Sequence, residues 1–247
     1  MLRFDTMLIK AAINGGRTKL EHPSIPISPN EIATAVVECL NAGASAIHFH
    51  IRSEDSHESL TSEDLARTLH AVRMLAPDAQ VGVSTGAWII PDSSIRAETV
   101  STWAALPDFA SVNFSEEGAY EVAQILLQKS VGVEAGLCDA NAAERFVDSG
   151  LAARCLRVLL EPQEQDVEQA RVTAREMMAV LNRARIDIPR VLHGTEATTW
   201  EIMADAIKLG YGIRVGFEDT LTLADGTVAQ TNADLIKEAI AYVAHSY

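Results

Sequence analysis

Short apolar runs alternate with amphipathic stretches along this chain, and the alternation repeats eight times. The apolar runs predict strands at 8–13 (LIKAAI), 46–51 (AIHFHI), 81–84 (VGVS), 109–114 (FASVNF), 131–135 (VGVEA), 155–161 (CLRVLLE), 190–194 (RVLHG) and 212–217 (GIRVGF). Helical spacing fills the intervals, near 29–42, 62–76, 94–105, 119–129, 139–149, 166–184, 198–209 and 232–246. Local chemistry supports several of these boundaries. In SPNE (28–31) Ser28 and Glu31 form a capping box around Pro29, which fits a first helical position. Gly43 and Gly210 stand just past helix ends, where a left-handed residue terminates the turn.

Eight β–α units without a linker or a shift in composition predict an α/β fold, a (β/α)8 TIM barrel forming a single domain over 1–247. A doubly wound sheet rarely needs eight regular units, and INGGRTK after the first strand is not its glycine fingerprint. The units share no sequence period, which argues against a solenoid.

Composition narrows the function classes. A formal charge of −14, from 34 acidic and 20 basic residues, argues against sequence-independent nucleic-acid binding, which needs cations to neutralise phosphates. A small anionic metabolite can still be held by a local cationic pocket. No run approaches the roughly 18 apolar residues of a membrane span. The start MLRFDTMLIKAAINGG lacks the long apolar segment of a signal peptide. Cys39, Cys138 and Cys155 have neither metal-type spacing nor an even count and read as small buried hydrophobes. A cytoplasmic protein is the expectation.

In such a barrel chemistry collects at the C-terminal ends of the strands. Those ends carry Asn14, His48, His50, Ser84, Asn113, Glu134, Glu161, His193, Glu218 and Asp219. Polar groups left unpaired in an apolar core are costly, so they pair with each other or gather round a charge. His48 and His50 occupy alternate positions of one strand, project to the same side, and can converge on one cation. Glu218, at the end of the last strand, can reach across the mouth as a third ligand. Two imidazoles and a carboxylate with open positions suit Zn2+ or another divalent metal acting as a Lewis acid. Arg214 can hold the neighbouring Asp219 ionised, ready to take an α-proton. His193 could line the mouth without being a ligand, His57 reads as solvated, and Glu196 as a first-turn acid.

With these residues in place, the sequence resembles the β-keto acid cleavage enzymes. The resemblance is carried by IPISPNEIATAVVECLNAGASAIHFHIR (25–52), STG (84–86), PDFASVNF (107–114) and GIRVGFEDTLTLADGTVAQTNADLI (212–236). It implies a (β/α)8 barrel with a divalent metal, usually zinc, in a homotetramer or other homo-oligomer. The implied reaction condenses a β-keto acid with acetyl-CoA and cleaves the adduct to acetoacetate and a new acyl-CoA. It gives His48, His50 and Glu218 the metal and Arg214 and Asp219 the proton transfer, with Ser84, Ser111, Asn113 and Glu134 contacting substrate. Arg17 stands where an acid suited to an ammonium is found in the aminohexanoate enzyme, and so predicts an anionic or neutral polar substrate tail. The chain departs from the family's glycine-rich turn after the sixth strand. LLEPQEQD (159–166) is acidic there, and Glu161 and Glu164 are expected to repel phosphates. A CoA-independent lyase or hydrolase, and a non-catalytic barrel subunit, remain the alternatives.

Overall fold

The structure is a computed structural model that describes residues 7–245. The opening MLRFDT and the final position of the expected eighth helix lie outside the described residues. Parallel strands β1 (Ile9–Ala12), β2 (Ala46–Phe49), β3 (Val81–Ser84), β4 (Phe109–Asn113), β5 (Gly132–Leu137), β6 (Arg157–Leu160), β7 (Arg190–Leu192) and β8 (Ile213–Val215) form one sheet. Its order is β7-β6-β5-β4-β3-β2-β1-β8, and a parallel bridge between Val191 and Gly212 brings its two edges together. Helices α1 (Pro29–Ala42), α2 (Ser62–Leu75), α3 (Ser93–Ser101), α4 (Ala119–Gln128), α5 (Ala140–Asp148), α6 (Val167–Arg183), α7 (Thr199–Lys208) and α8 (Asn232–His245) follow the strands in turn. This is the (β/α)8 barrel expected from the alternation. Among the described residues no helix is long and apolar enough to cross a membrane.

Boundaries differ where local chemistry overrides periodicity. Helix α3 stops at Ser101 rather than continuing to 105. Pro107 disfavours a helical residue before it, and the buried Trp103 indole donates to the Leu60 carbonyl at 2.8 Å. Helix α5 begins one residue later than expected because Asp139 serves as its cap, accepting from the Ala142 amide. Ser28 and Glu31 do form the capping box of α1, and Gly43 ends it with φ 112°.

The barrel interior is charged, which apolar periodicity did not announce. The Lys10 ammonium on β1 crosses to Glu134 Oε2 on β5 at 2.6 Å, and Arg157 Nε on β6 donates to Glu134 Oε1 at 2.5 Å. Lys10 and Glu134 are fully buried, and Arg157 lies 4.9 Å from the centre of the Phe109 ring. Burial alone would raise the Glu134 pKa, but Lys10 and Arg157 outweigh it and hold the carboxyl down to about 2. Removing the charge leaves two buried cations without their partner. Glu134→Gln is therefore expected to destabilise the fold by about 3–5 kcal/mol, read by chemical denaturation near neutral pH. In the wild type this contribution is complete above the ordinary Glu pKa and is lost as pH falls through about 2.

Candidate active site

The mouth is assembled from backbone devices that sequence spacing does not reveal. β2 pairing ends at Phe49, and Asn14, just beyond β1, takes over. Its Oδ1 accepts the His50 amide at 2.8 Å, while its Nδ2 donates to the His50 carbonyl at 3.0 Å. Residues 51–59 then fold back, with Ser59 N donating to the Ile51 carbonyl at 3.0 Å. That return brings Glu58 against His50, whose Nδ1 lies 2.5 Å from Glu58 Oε1. The Trp88 indole donates to the same carboxylate at 3.1 Å, and its ring stacks on His50 at 5.9 Å. On the other side of the mouth, Glu218 N donates to the Ala12 carbonyl at 3.0 Å. Gly15 has φ +53°, and a Cβ there would stand 2.5 Å from Glu218 Cγ. Only glycine lets this loop carry that conformation beside the Glu218 side chain.

These devices aim three donors at one point. His48 Nε2 is 3.6 Å from Glu218 Oε2, and His50 Nε2 is 3.6 Å from Glu218 Oε1. One ligand atom from each of His48, His50 and Glu218 lies within 4.8 Å of the others. Glu218 Oε2 is buried without a hydrogen-bond partner. The Glu58 carboxylate fixes the His50 ring and turns its Nε2 inward, as the outer partner of a metal-bound imidazole does. The donor set therefore fits a divalent cation. Burial would raise the Glu218 pKa, yet Arg214, His50 and His48 reverse it and hold the carboxyl well below its usual range. Burial would likewise lower His50, but Glu218 and Glu58 lift it to about 9.

Beside this point Arg214 grips Asp219. Its NH2 is 2.7 Å from Asp219 Oδ1 and its Nε 3.2 Å from Oδ2, while the same NH2 lies 2.5 Å from Glu218 Oε1. Asp219 is fully buried. His193 stands behind it, its Nδ1 3.6 Å from Asp219 Oδ1 and its Nε2 3.5 Å from Glu161 Oε2. Burial, reinforced by Arg214, pushes the His193 pKa down to about 3, so the ring is neutral. Neither of its nitrogens has a hydrogen-bond partner.

A cleft of about 460 Å³ opens over the site, lined by His50, Trp88, Asn113, Glu161, His193, Arg214, Glu218 and Asp219 among others. Of the residues expected to contact substrate, Asn113 lines it. Ser84, Ser111 and Glu134 share one register row, two positions lower in the barrel than Asn113. Both Glu134 oxygens are engaged by Lys10 and Arg157. Arg17 is paired with Glu196 and with Glu21, and Gly16 rather than Arg17 borders the cleft. Glu164 turns away to accept from the Thr173 hydroxyl, whereas Glu161 faces the cleft. His57 is exposed, as expected. Glu58 and Trp88 were missed by sequence reasoning. Glu58 lies in a loop without periodicity, and the only local signal was its place eight residues beyond His50.

Donors suited to a divalent cation, next to a buried carboxylate held by arginine, at the C-terminal mouth of a (β/α)8 barrel define an enzyme site. The model of the beta-keto acid cleavage enzyme family matches residues 6–246, and the chain belongs to that family. It is 24% identical over 250 residues to 3-keto-5-aminohexanoate cleavage enzyme of Fusobacterium nucleatum, covering 96% of this chain and 90% of that one. It is 25% identical over 252 residues to 3-oxoadipate:acetyl-CoA acetyltransferase of Cupriavidus necator, covering 95% and 87%. In fold it is similar to ObcA, solved as a ternary complex with a C4-CoA adduct and oxalate, at TM-score 0.71 and 16% identity. That match covers 87% of this chain but only 62% of ObcA.

Proposed function

We propose that the protein cleaves a β-keto acid in an acetyl-CoA-dependent exchange that yields acetoacetate and a new acyl-CoA. The observation that carries this reading is the convergence of His48, His50 and Glu218 beside the Arg214–Asp219 pair. The family and the relatives named 3-keto-5-aminohexanoate cleavage enzyme and 3-oxoadipate:acetyl-CoA acetyltransferase support it. His48, His50 and Glu218 hold a divalent cation, of which Zn2+ best suits two imidazoles, one carboxylate and an open position. That ion supplies Lewis acidity toward the oxygens of the keto acid.

Asp219, held and oriented by Arg214, removes a proton from C2 of the substrate. The C2 electron pair attacks the acetyl carbonyl of acetyl-CoA, forming a carbon–carbon bond and expelling CoA thiolate. The thiolate then adds to the substrate's original ketone carbon. The bond from that carbon to C2 breaks, leaving a new thioester and the acetoacetate carbanion, which recovers its proton from Asp219. Ser84, Ser111 and Asn113 orient the acid from the register row and the cleft wall. The test is to incubate the metal-loaded protein with acetyl-CoA and a panel of β-keto acids and to follow acetoacetate by mass spectrometry. Acetoacetate that forms only when acetyl-CoA is present is the expected result. Cleavage without acetyl-CoA, or none with any acid, would sink the reading.

A further inference from the structure

Arg214 orients the Asp219 carboxylate, but the backbone that carries Asp219 hangs from a different loop. The Glu196 amide, at the start of a short 3-10 helix after β7 (Glu196–Thr198), donates to the Asp219 carbonyl at 2.7 Å. The Thr199 hydroxyl approaches the same oxygen only to 3.5 Å and lies equally far from the Gly194 carbonyl. Glu196 makes its bond with φ +47°, in the left-handed region. A residue with a side chain rarely adopts that conformation, and it persists only where the surroundings enforce it.

The enforcement comes from both flanks. Gln165, in the loop after β6, accepts from the Ala197 amide and donates to Thr195 Oγ1, both at 3.2 Å. From the other side the Arg17 guanidinium reaches out of the loop after β1 to the Glu196 carboxylate. Arg17 is itself fixed. Its carbonyl accepts from the buried Arg52 at 3.1 Å, and its amide donates to the Asn14 carbonyl at 3.2 Å. The Glu196 carboxylate is half exposed, and an ion pair so placed stabilises a fold little. Its effect lies in where it holds the backbone. Gly16 and Thr195, beside the two partners, border the cleft, whereas Arg17 and Glu196 do not.

We propose that Glu196 is a positioning residue for Asp219. Arg17 anchors its side chain, the anchor keeps its backbone left-handed, and its amide then fixes the carbonyl of the base. The inference rests on the reading of Asp219 as that base. Arg17, expected from sequence to meet a substrate tail, serves as the anchor instead.

Two substitutions at one position test it. Glu196→Ala removes the anchor and keeps a Cβ, so the loop should leave the left-handed region and release Asp219. Glu196→Gly removes the anchor equally but tolerates that φ. At saturating metal, with acetyl-CoA, Glu196→Ala should lower kcat by about five- to twentyfold, the loss of one hydrogen bond that aligns a reacting group. KM should change much less. Glu196→Gly should lose clearly less, and Arg17→Met should match Glu196→Ala, with little added when the two are combined. Amide hydrogen exchange of the metal-loaded full chain, read by mass spectrometry over 194–198 and 216–220, gives a second measure. Corrected for intrinsic rates, exchange there should quicken about tenfold in Glu196→Ala and less in Glu196→Gly. A kcat in Glu196→Ala within about twofold of wild type would overturn the inference. So would unchanged exchange in that variant, or a glycine variant as impaired as the alanine one. If the wild type makes no acetoacetate from any acid, the β-keto acid reading fails, and the order of exchange rates still decides whether Glu196 holds the Asp219 backbone.

Discussion

Asp219→Asn should lower kcat by about 10²- to 10⁴-fold, the usual contribution of a positioned general base, while metal content stays near one ion per chain. The side chain is fully buried and receives both Arg214 contacts, at 2.7 and 3.2 Å. Asparagine matches its shape but cannot accept a proton. Arg214 keeps its contact with Glu218 in the variant, so the loop retains a charged partner. The KM for the keto acid is expected to change much less than kcat, because the interaction removed acts in the transition state. Steady-state kinetics with elemental analysis separates the outcomes. Activity within about tenfold of wild type would assign the proton transfer to another group.

His50→Ala should empty the cation site, taking metal content from about one per chain to near none. With it goes the ligand-linked stabilisation, about 2.7 kcal/mol when free metal is a hundredfold above Kd. Glu58→Gln is the graded counterpart. It leaves all three ligands but loosens the 2.5 Å contact that orients His50, and should weaken metal affinity by about 10- to 100-fold. Affinity should also rise with pH. Without metal, His50 holds its proton up to about 9 against the pull of burial, because Glu218 and Glu58 face it. The ion must displace that proton, so affinity falls as pH drops below about 9 and levels off above it. Metal titrations across pH check both claims. A His50→Ala variant that retains stoichiometric metal would show that the ligand set is wrong.

Much of this was legible in the chain itself. Each of the eight strands and eight helices overlaps the stretch where periodicity and caps placed it, with ends that differ by up to four residues, because each barrel unit announces itself locally. His48, His50 and Glu218 were legible because alternate strand positions share a face and strand ends share a rim. The charged interior was not. Lys10 sits within an apolar run, and its partner Glu134 is 124 residues away, a pairing only closure of the barrel reveals. Glu58 escaped for a related reason: the fold-back that delivers it depends on backbone bonds in residues 51–59, not on side-chain pattern. His193 could be placed at the rim but not between Asp219 and Glu161, since that depends on how β6, β7 and the turn after β8 sit together.

The turn bearing Glu218 and Asp219 is stitched to the opening strand. Glu218 N bonds to Ala12 O, and Asn232 links the Phe217 amide to the Ile13 carbonyl at 2.7 and 2.9 Å. The first and last barrel units thus share one clasp, and that clasp also carries Glu218 and Asp219, the proposed metal donor and base. In this architecture the proposed chemistry is a sensitive gauge of whether the ring is shut, and a circular permutation that reopens the chain between β8 and α8 is expected to cost it first.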